Sequence, residues 1–213
     1  MWTSALAILA AGAAFAFIHW ALAANRTKEW ACHRWGRARV DRFYRLVFSG
    51  VAVATYLPVM ALVGLLPDRT LYRIQYPWLL LSGGGQLTAA LFFLWALAQT
   101  DVWQFLGLRQ LFRGGNPLPA DRHANMAVSG PYGWVRHPMY TAAILFIWLS
   151  PLMTLNLAAL WAVSTAYLYL GSFPEEARLL QEFGAAYRAY QQQVPRLLPR
   201  PWRRYRNQNP AAG

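Results

Sequence analysis

MYTAAILFIWLSPLMTLNLAALWAVSTAYLYLGSF, residues Met139–Phe173, holds no charged side chain and is about twice as long as the roughly 20 residues that one membrane span needs. It is broken at Ser150-Pro151 and again at Asn156, residue types that interrupt a helix. The stretch therefore reads as a helical hairpin. Three further apolar runs precede it: Thr3–Ala24, Leu46–Leu66 and Trp78–Ala98. Together they predict an all-α, polytopic integral membrane protein with about five transmembrane helices.

Composition agrees. The 213 residues are 57% hydrophobic and 13% charged, about half the charged share of an ordinary soluble domain. Twenty Lys and Arg against eight Asp and Glu give a formal charge of +12. A chain this basic first suggests nucleic acid, but the apolar excess and the scatter of its cations among membrane-flanking segments exclude that partner. Disorder is excluded by the same excess. One cysteine, Cys32, permits neither an intrachain disulfide nor a cysteine-rich zinc cage.

The cations set an orientation. Residues 25–45 carry seven, 67–77 two (Arg69 and Arg73), 99–138 four (Arg109, Arg113, Arg122 and Arg136), and the tail from Pro174 seven. Alternate sides of the membrane thus hold 18 and 2, which places the amino terminus outside and the carboxyl terminus in the cytoplasm, with attraction to anionic lipid. Residues 1–24 resemble a signal peptide at Ala21-Leu22-Ala23, but lack Lys and Arg at the start and run too long, so an uncleaved span is expected. Trp2, Trp20, Tyr44, Tyr72, Trp78, Trp103 and Tyr140 form an interfacial belt. Gly83-Gly84-Gly85 lacks the Lys of a phosphate loop and reads as a close helix contact. No alternation is long enough to build a sheet.

The chain reads as one membrane domain, 1–213. Residues 1–98 form three helices with a basic loop at 25–45. A core at 125–200 comprises the hairpin 139–173 and an amphipathic cytoplasmic helix 174–193. That helix is expected to start at Ser172-Phe173-Pro174-Glu175, which has capping-box spacing with Pro in the first turn. Leu180, Phe183, Tyr187 and Tyr190 then mark one apolar face.

A hairpin brings its ends together, so Arg136-His137 and Glu175-Glu176 are expected as neighbours, with Tyr132 and Tyr140 nearby. Charged groups where helices enter lipid are costly without a purpose. Each also has a plainer reading: Glu175 caps a helix, Arg136 snorkels to phosphates, His137 occupies a turn, and the tyrosines belong to the belt. His19, His33 and His123 have no partner at ligand spacing, so no metal is expected. Spacing alone stops at a five-helix membrane protein with one polar pocket.

Gly130-Pro131-Tyr132-x-x-Val135-Arg136-His137-Pro138-x-Tyr140 resembles the signature of the isoprenylcysteine carboxyl methyltransferase and phospholipid methyltransferase superfamily. Glu175-Glu176-x-x-Leu179-x-x-x-Phe183-Gly184-x-x-Tyr187-x-x-Tyr190-x-x-x-Val194-Pro195-Arg196 is similar to its second block. The resemblance spans about residues 125–200 and implies an S-adenosyl-L-methionine-dependent methyltransferase. Its cofactor would lie in a cytoplasmic pocket, and its lipophilic acceptor would arrive from the bilayer. It implies cofactor binding by Gly130, Tyr132, His137, Pro138, Met139, Tyr140, Glu175 and Glu176. No protein partner is implied.

Members that methylate carboxyl groups carry an Arg four residues before the matched Glu, where this chain has Gly171. Gly cannot replace a bidentate clamp, which leaves Arg136 or Arg196 to hold an acceptor carboxylate. The sequence Trp148–Thr154, Thr165-Ala166-Tyr167 and Gly171-Ser172-x-x-Glu175-Glu176 is more similar to a bacterial subgroup. That subgroup contains methanethiol S-methyltransferases and NnrU-like proteins. A thiol acceptor needs its proton removed, and His137 or a Tyr is the expected base, with Arg136 stabilising the thiolate. Carboxyl or phospholipid methylation and a non-catalytic NnrU-like role are the alternatives. The expected location is a bacterial inner membrane.

Overall fold

The computed structural model describes residues 1–100 and 128–199. Trp103, Arg109, Arg113, Arg122, His123 and the cations beyond Pro199 lie outside the described residues. The chain divides into two compact units. Of the described residues, the first takes 1–79 and 151–167, and the second takes 80–100, 128–150 and 168–199.

In the first unit, α1 runs Trp2–Ala23, α2 Asn25–Trp35 and α3 Arg37–Leu65. At about 1.5 Å per residue α1 is roughly 33 Å long, enough to cross a hydrocarbon core. The basic segment is helical rather than a loop: it forms α2 and the first turns of α3, which meet at Gly36 (φ +85°). Ala5 and Ile8 of α1, Val59 of α3, and Ala159 and Leu160 form the core. Close approach is set at Gly12, where a Cβ would stand 2.6 Å from Val163 Cγ1.

After α3 comes a short ribbon. β1 (Thr70–Arg73) pairs antiparallel with β2 (Leu152–Thr154), with Thr70 opposite Thr154 and Arg73 opposite Leu152. Asn156, fully buried at the break foreseen in the sequence, ties this end together. Its backbone N–H donates to Asp68 Oδ1 at 3.0 Å, and its Nδ2 donates to the Leu66 carbonyl at 3.3 Å. A carbonyl left open at the end of α3 is thereby satisfied inside the protein.

The second unit contains α4 (Trp78–Ala98, from Leu80 onward) and α5 (Pro138–Trp148). Ser82 Oγ donates to the Leu149 carbonyl and Gln86 Nε2 to the Phe146 carbonyl at 3.0 Å. Side chains of α4 thus receive the orphan carbonyls at the carboxyl end of α5. In the glycine run, only Gly85 makes the close contact expected. A Cβ there would meet Leu149 Cδ1 at 3.0 Å, while Gly83 and Gly84 have no such neighbour among the described residues.

α6 runs Leu155–Phe183 and passes from the first unit into the second; α7 follows at Ala185–Gln193. Two expectations are corrected. Among the described residues four helices, α1, α3, α4 and α6, are long and apolar enough to cross a membrane. The expected fifth, α5, has 11 residues, about 16 Å, because Ser150-Pro151 ends it early. The final helix also does not begin at Ser172. α6 continues through Pro174, and Ser172 Oγ donates to the Tyr169 carbonyl at 2.7 Å instead of capping an N–H. The break falls at Gly184, whose φ of +57° favours a residue without Cβ. Leu81, Leu87 and Leu91 are exposed, the pattern of helices whose surroundings are lipid. The chain is an all-α, polytopic integral membrane protein.

Candidate active site

The segment before α5 is built on small and cyclic residues. Gly130–Gly133 form one 3-10 turn, closed by the Tyr132 N–H on the Ser129 carbonyl at 3.2 Å. Gly130 sits at φ +57°, and a Cβ there would lie 3.4 Å from the Trp95 ring. Trp134 stacks on Phe92 and meets Trp95 edge-on, each at 5.9 Å, which seats the turn on α4. Pro138 then opens α5, where its missing N–H costs nothing.

The chain beyond α7 runs back along this turn. The N–H groups of Arg136 and His137 donate to the Pro195 and Arg196 carbonyls at 2.9 and 3.1 Å. Thr141 Oγ1 donates to the Leu197 carbonyl at 2.7 Å. Tyr187, Tyr190 and Val194 are buried, and the Tyr190 hydroxyl donates to the Tyr132 carbonyl at 2.6 Å. The tyrosine face of α7 therefore closes on the turn.

Glu176 is the centre of this arrangement. Its carboxylate faces six donor atoms. Arg136 reaches both oxygens, with Nε at 2.9 Å and Nη2 at 3.2 Å. Arg196 also reaches both, through Nε and Nη2, each at 3.1 Å. Gln191 Nε2 lies at 2.9 Å and His137 Nε2 at 3.1 Å. The Glu176 side chain is 5% exposed and that of Arg136 11%. Arg136 Nη1 also donates to the Gln191 and Val194 carbonyls at 2.9 and 2.8 Å, so four of its five N–H donors are spent within the protein. Arg196 lies over the Phe173 ring, 3.8 Å from its centroid.

Glu175 is held differently. Its Oε2 accepts from the Tyr140 hydroxyl at 2.8 Å and faces His137 Nδ1 at 3.5 Å. Its side chain is 35% exposed, and no described residue donates a hydrogen bond to Oε1. His137 is buried, stacked on Tyr140 at 5.2 Å, with a carboxylate opposite each ring nitrogen. Burial, then the charge of Glu175, push the Tyr132 phenol up to about 12, so it stays protonated at neutral pH. Burial and the charge of Glu176 likewise raise Tyr187.

The structure thus gathers Tyr132, Arg136, His137, Pro138, Tyr140, Glu175, Glu176 and Arg196 around one charge cluster. It also redistributes duties among them. Arg136 and Arg196, expected to face an acceptor, grip Glu176. Glu176, expected as a cofactor ligand, has no open oxygen. His137, expected as a base, has a carboxylate oxygen opposite each ring nitrogen. Among the described residues Arg136 and Arg196 both engage Glu176, and none donates a hydrogen bond to Glu175 Oε1. Sequence reasoning missed Gln191 and the Tyr190 hydroxyl bond. The only signal was the choice of Tyr over Leu or Phe on an otherwise apolar face. Among the described residues no group of three His, Cys, Asp or Glu is placed to hold a metal.

Comparison with known proteins finds several methanethiol S-methyltransferases to which the chain is similar. The chain is 28% identical over 198 residues to a methanethiol S-methyltransferase of Pseudomonas sp., covering 87% of this chain and 70% of that one. It is 42% identical over 73 residues to methanethiol S-methyltransferase 1 of Bradyrhizobium diazoefficiens, 34% of this chain and 25% of the relative. A methanethiol S-methyltransferase of Mycobacterium tuberculosis is 32% identical over 123 residues, 54% and 49% of the two chains. The matched stretches thus range from a quarter to 70% of these relatives' lengths. No protein-family model matches the chain, and no solved structure matches it.

Proposed function

We propose that this chain is an integral membrane methyltransferase that uses S-adenosyl-L-methionine to methylate a small or lipophilic thiol. The observation that carries the reading is the division between adjacent carboxylates: among the described residues Glu176 meets six donor atoms, whereas none donates to Glu175 Oε1. The names of the relatives support the thiol acceptor. When bound, S-adenosylmethionine supplies an electrophilic methyl group on a sulfonium. The protein's residues bind and position. Glu175 accepts from a cationic group, held in place by Tyr140 and His137. Tyr132 offers a neutral hydroxyl. Gly130, Pro138 and Met139 supply the backbone and apolar wall of the turn. The cluster around Glu176 keeps that wall in register, and positioning of this kind supplies much of a displacement's rate.

An acceptor carboxylate fits this site less well, since both cations that might replace the missing clamp are engaged by Glu176. A Cβ at Gly171 would meet nothing within 4 Å among the described residues, and Gly171 lies one turn before Glu175 on the same face. Gly171→Arg is therefore expected to be accommodated, yet to leave thiol turnover no higher than wild type. A marked gain would show that the acceptor needs the clamp.

The direct test is calorimetric titration of S-adenosylmethionine into the detergent-solubilised chain, followed by assay of dimethyl sulfide from methanethiol. One binding site and product formation are expected. A folded sample that binds no S-adenosylmethionine overturns the reading. We place the protein in a bacterial inner membrane, with the bilayer and the acceptor as its partners. A reporter fused after Gly213 is expected to read cytoplasmic, and a periplasmic signal reverses the topology.

A further inference from the structure

The cation-rich segment 25–45 belongs wholly to the first compact unit and is not used by the chemistry above. α1 ends at Ala23, after a length that crosses a hydrocarbon core, and α2 starts two residues later. The apolar part of α3 begins at Leu46, so residues 37–45, about 13 Å of helix, stand clear of the hydrocarbon. Both facts place α2 at headgroup level. Side chains fix this corner. Thr27 Oγ1 and the Tyr44 hydroxyl donate to the Ala21 and Leu22 carbonyls, orphan acceptors at the end of α1. Lys28 Nζ lies 3.1 Å from Asp41 Oδ1 and ties α2 to α3. Ala31 of α2 and Val40 of α3 are buried.

We propose that α2 and the first turns of α3 form a binding surface for anionic phospholipid headgroups. Arg26, Trp30 and Arg34 recur every four residues and so lie in one row along α2, with His33 beside them. All four are exposed, as are Arg37, Arg39 and Arg42 on α3. Among the described residues Arg26, Arg34, Arg37 and Arg39 meet no carboxylate. Of the two acids in the segment, Asp41 is engaged by Lys28 and Glu29 is exposed. Seven cations against two acids leave residues 25–45 at a net charge of +5. The aromatic residues favour lipid as the occupant. Trp30 and Trp35 are each more than half exposed and meet edge-on at 5.3 Å. An indole pair this open is costly in water and suited to the headgroup layer, where its ring meets acyl carbons and its N–H meets oxygen. The arginine forks match phosphate, and in an anionic lipid no ammonium offsets that charge. A topology signal requires only the number of cations on one side; here they form a fixed array with aromatic partners.

The test measures lipid contact at α2 itself. His33→Cys in a Cys32→Ser background carries a fluorophore on the exposed row, in the full-length chain reconstituted into phosphatidylcholine vesicles. A nitroxide near the top of the acyl chain quenches it, carried by either phosphatidylglycerol or phosphatidylcholine. The phosphatidylglycerol probe should reach the same quenching at a mole fraction about fivefold lower, the scale set by a single cation near an anionic surface. Raising NaCl from about 0.1 to about 1 M shortens the screening length from about 10 to about 3 Å and should remove most of this preference. Arg26→Gln/Arg34→Gln/Arg39→Gln should do the same, with thermal unfolding as the check on its fold. The salt result stands without that variant. Equal quenching by both lipids, at either salt concentration, overturns the anionic preference. Quenching by neither lipid overturns the placement of α2 at the membrane and leaves the surface to an acidic soluble partner.

Discussion

Glu175→Gln is expected to weaken S-adenosylmethionine binding by about 30- to 150-fold while leaving the fold intact. The scale follows from the lost interaction. A hydrogen bond to a charged partner contributes about 1.5–3 kcal/mol, and the amide that replaces the carboxylate carries no charge to offset a sulfonium or ammonium. Two to three kcal/mol corresponds to roughly that range in Kd. The fold should hold because Glu175 has little else to support. It accepts one hydroxyl, from Tyr140, faces His137 at 3.5 Å, and keeps 35% of its side chain exposed. Calorimetry reads the affinity and thermal unfolding in detergent reads the fold. Normal affinity in the variant would place the cation site elsewhere.

The apolar runs were legible because lipid imposes a simple rule on composition. Thr3–Ala24 and Trp78–Ala98 match α1 and α4 to within a residue at each end. The meeting of Arg136-His137 with Glu175-Glu176 was legible from connectivity, since a hairpin must bring its ends together. What the sequence withheld was settled by partners distant along the chain. Ser172-x-x-Glu175 has capping-box spacing, yet the helix already entering from Leu155 carries its backbone through, and the Ser172 hydroxyl turns to a carbonyl. The hairpin's first arm looked long enough to span because periodicity does not register that Ser82 and Gln86 receive the carbonyls of an early helix end. Nor does any local pattern separate Glu175 from Glu176. Their roles divide because Gln191 and Arg196, 15 and 20 residues further on, both fold back onto the second carboxylate.

Glu176→Ala provides the opposite outcome from its neighbour. Removing this carboxylate strands Arg136, 11% exposed, and the stacked Arg196 without their counter-ion, and leaves Gln191 Nε2 and His137 Nε2 without their acceptor. Breaking a buried ion pair from one side costs about 3–5 kcal/mol, chiefly through the uncompensated charge left behind. For a chain of this size that corresponds to a fall in Tm of roughly 6–20 °C. The damage should begin at the carboxyl-terminal segment, because Arg136 also holds the Gln191 and Val194 carbonyls and the Arg136 and His137 N–H groups hold those of Pro195 and Arg196. Limited trypsin digestion should then cut at Arg188 and Arg196 well before the rest of the chain, with wild type and Glu175→Gln both resistant there. Cofactor affinity should fall as a consequence, since the same segment packs against the turn that carries Tyr132. Glu176→Gln, which keeps an acceptor oxygen but not the charge, should lie between. An unchanged Tm in Glu176→Ala would mean that the two arginines find other partners, and that Glu176 is free to bind the cofactor beside Glu175.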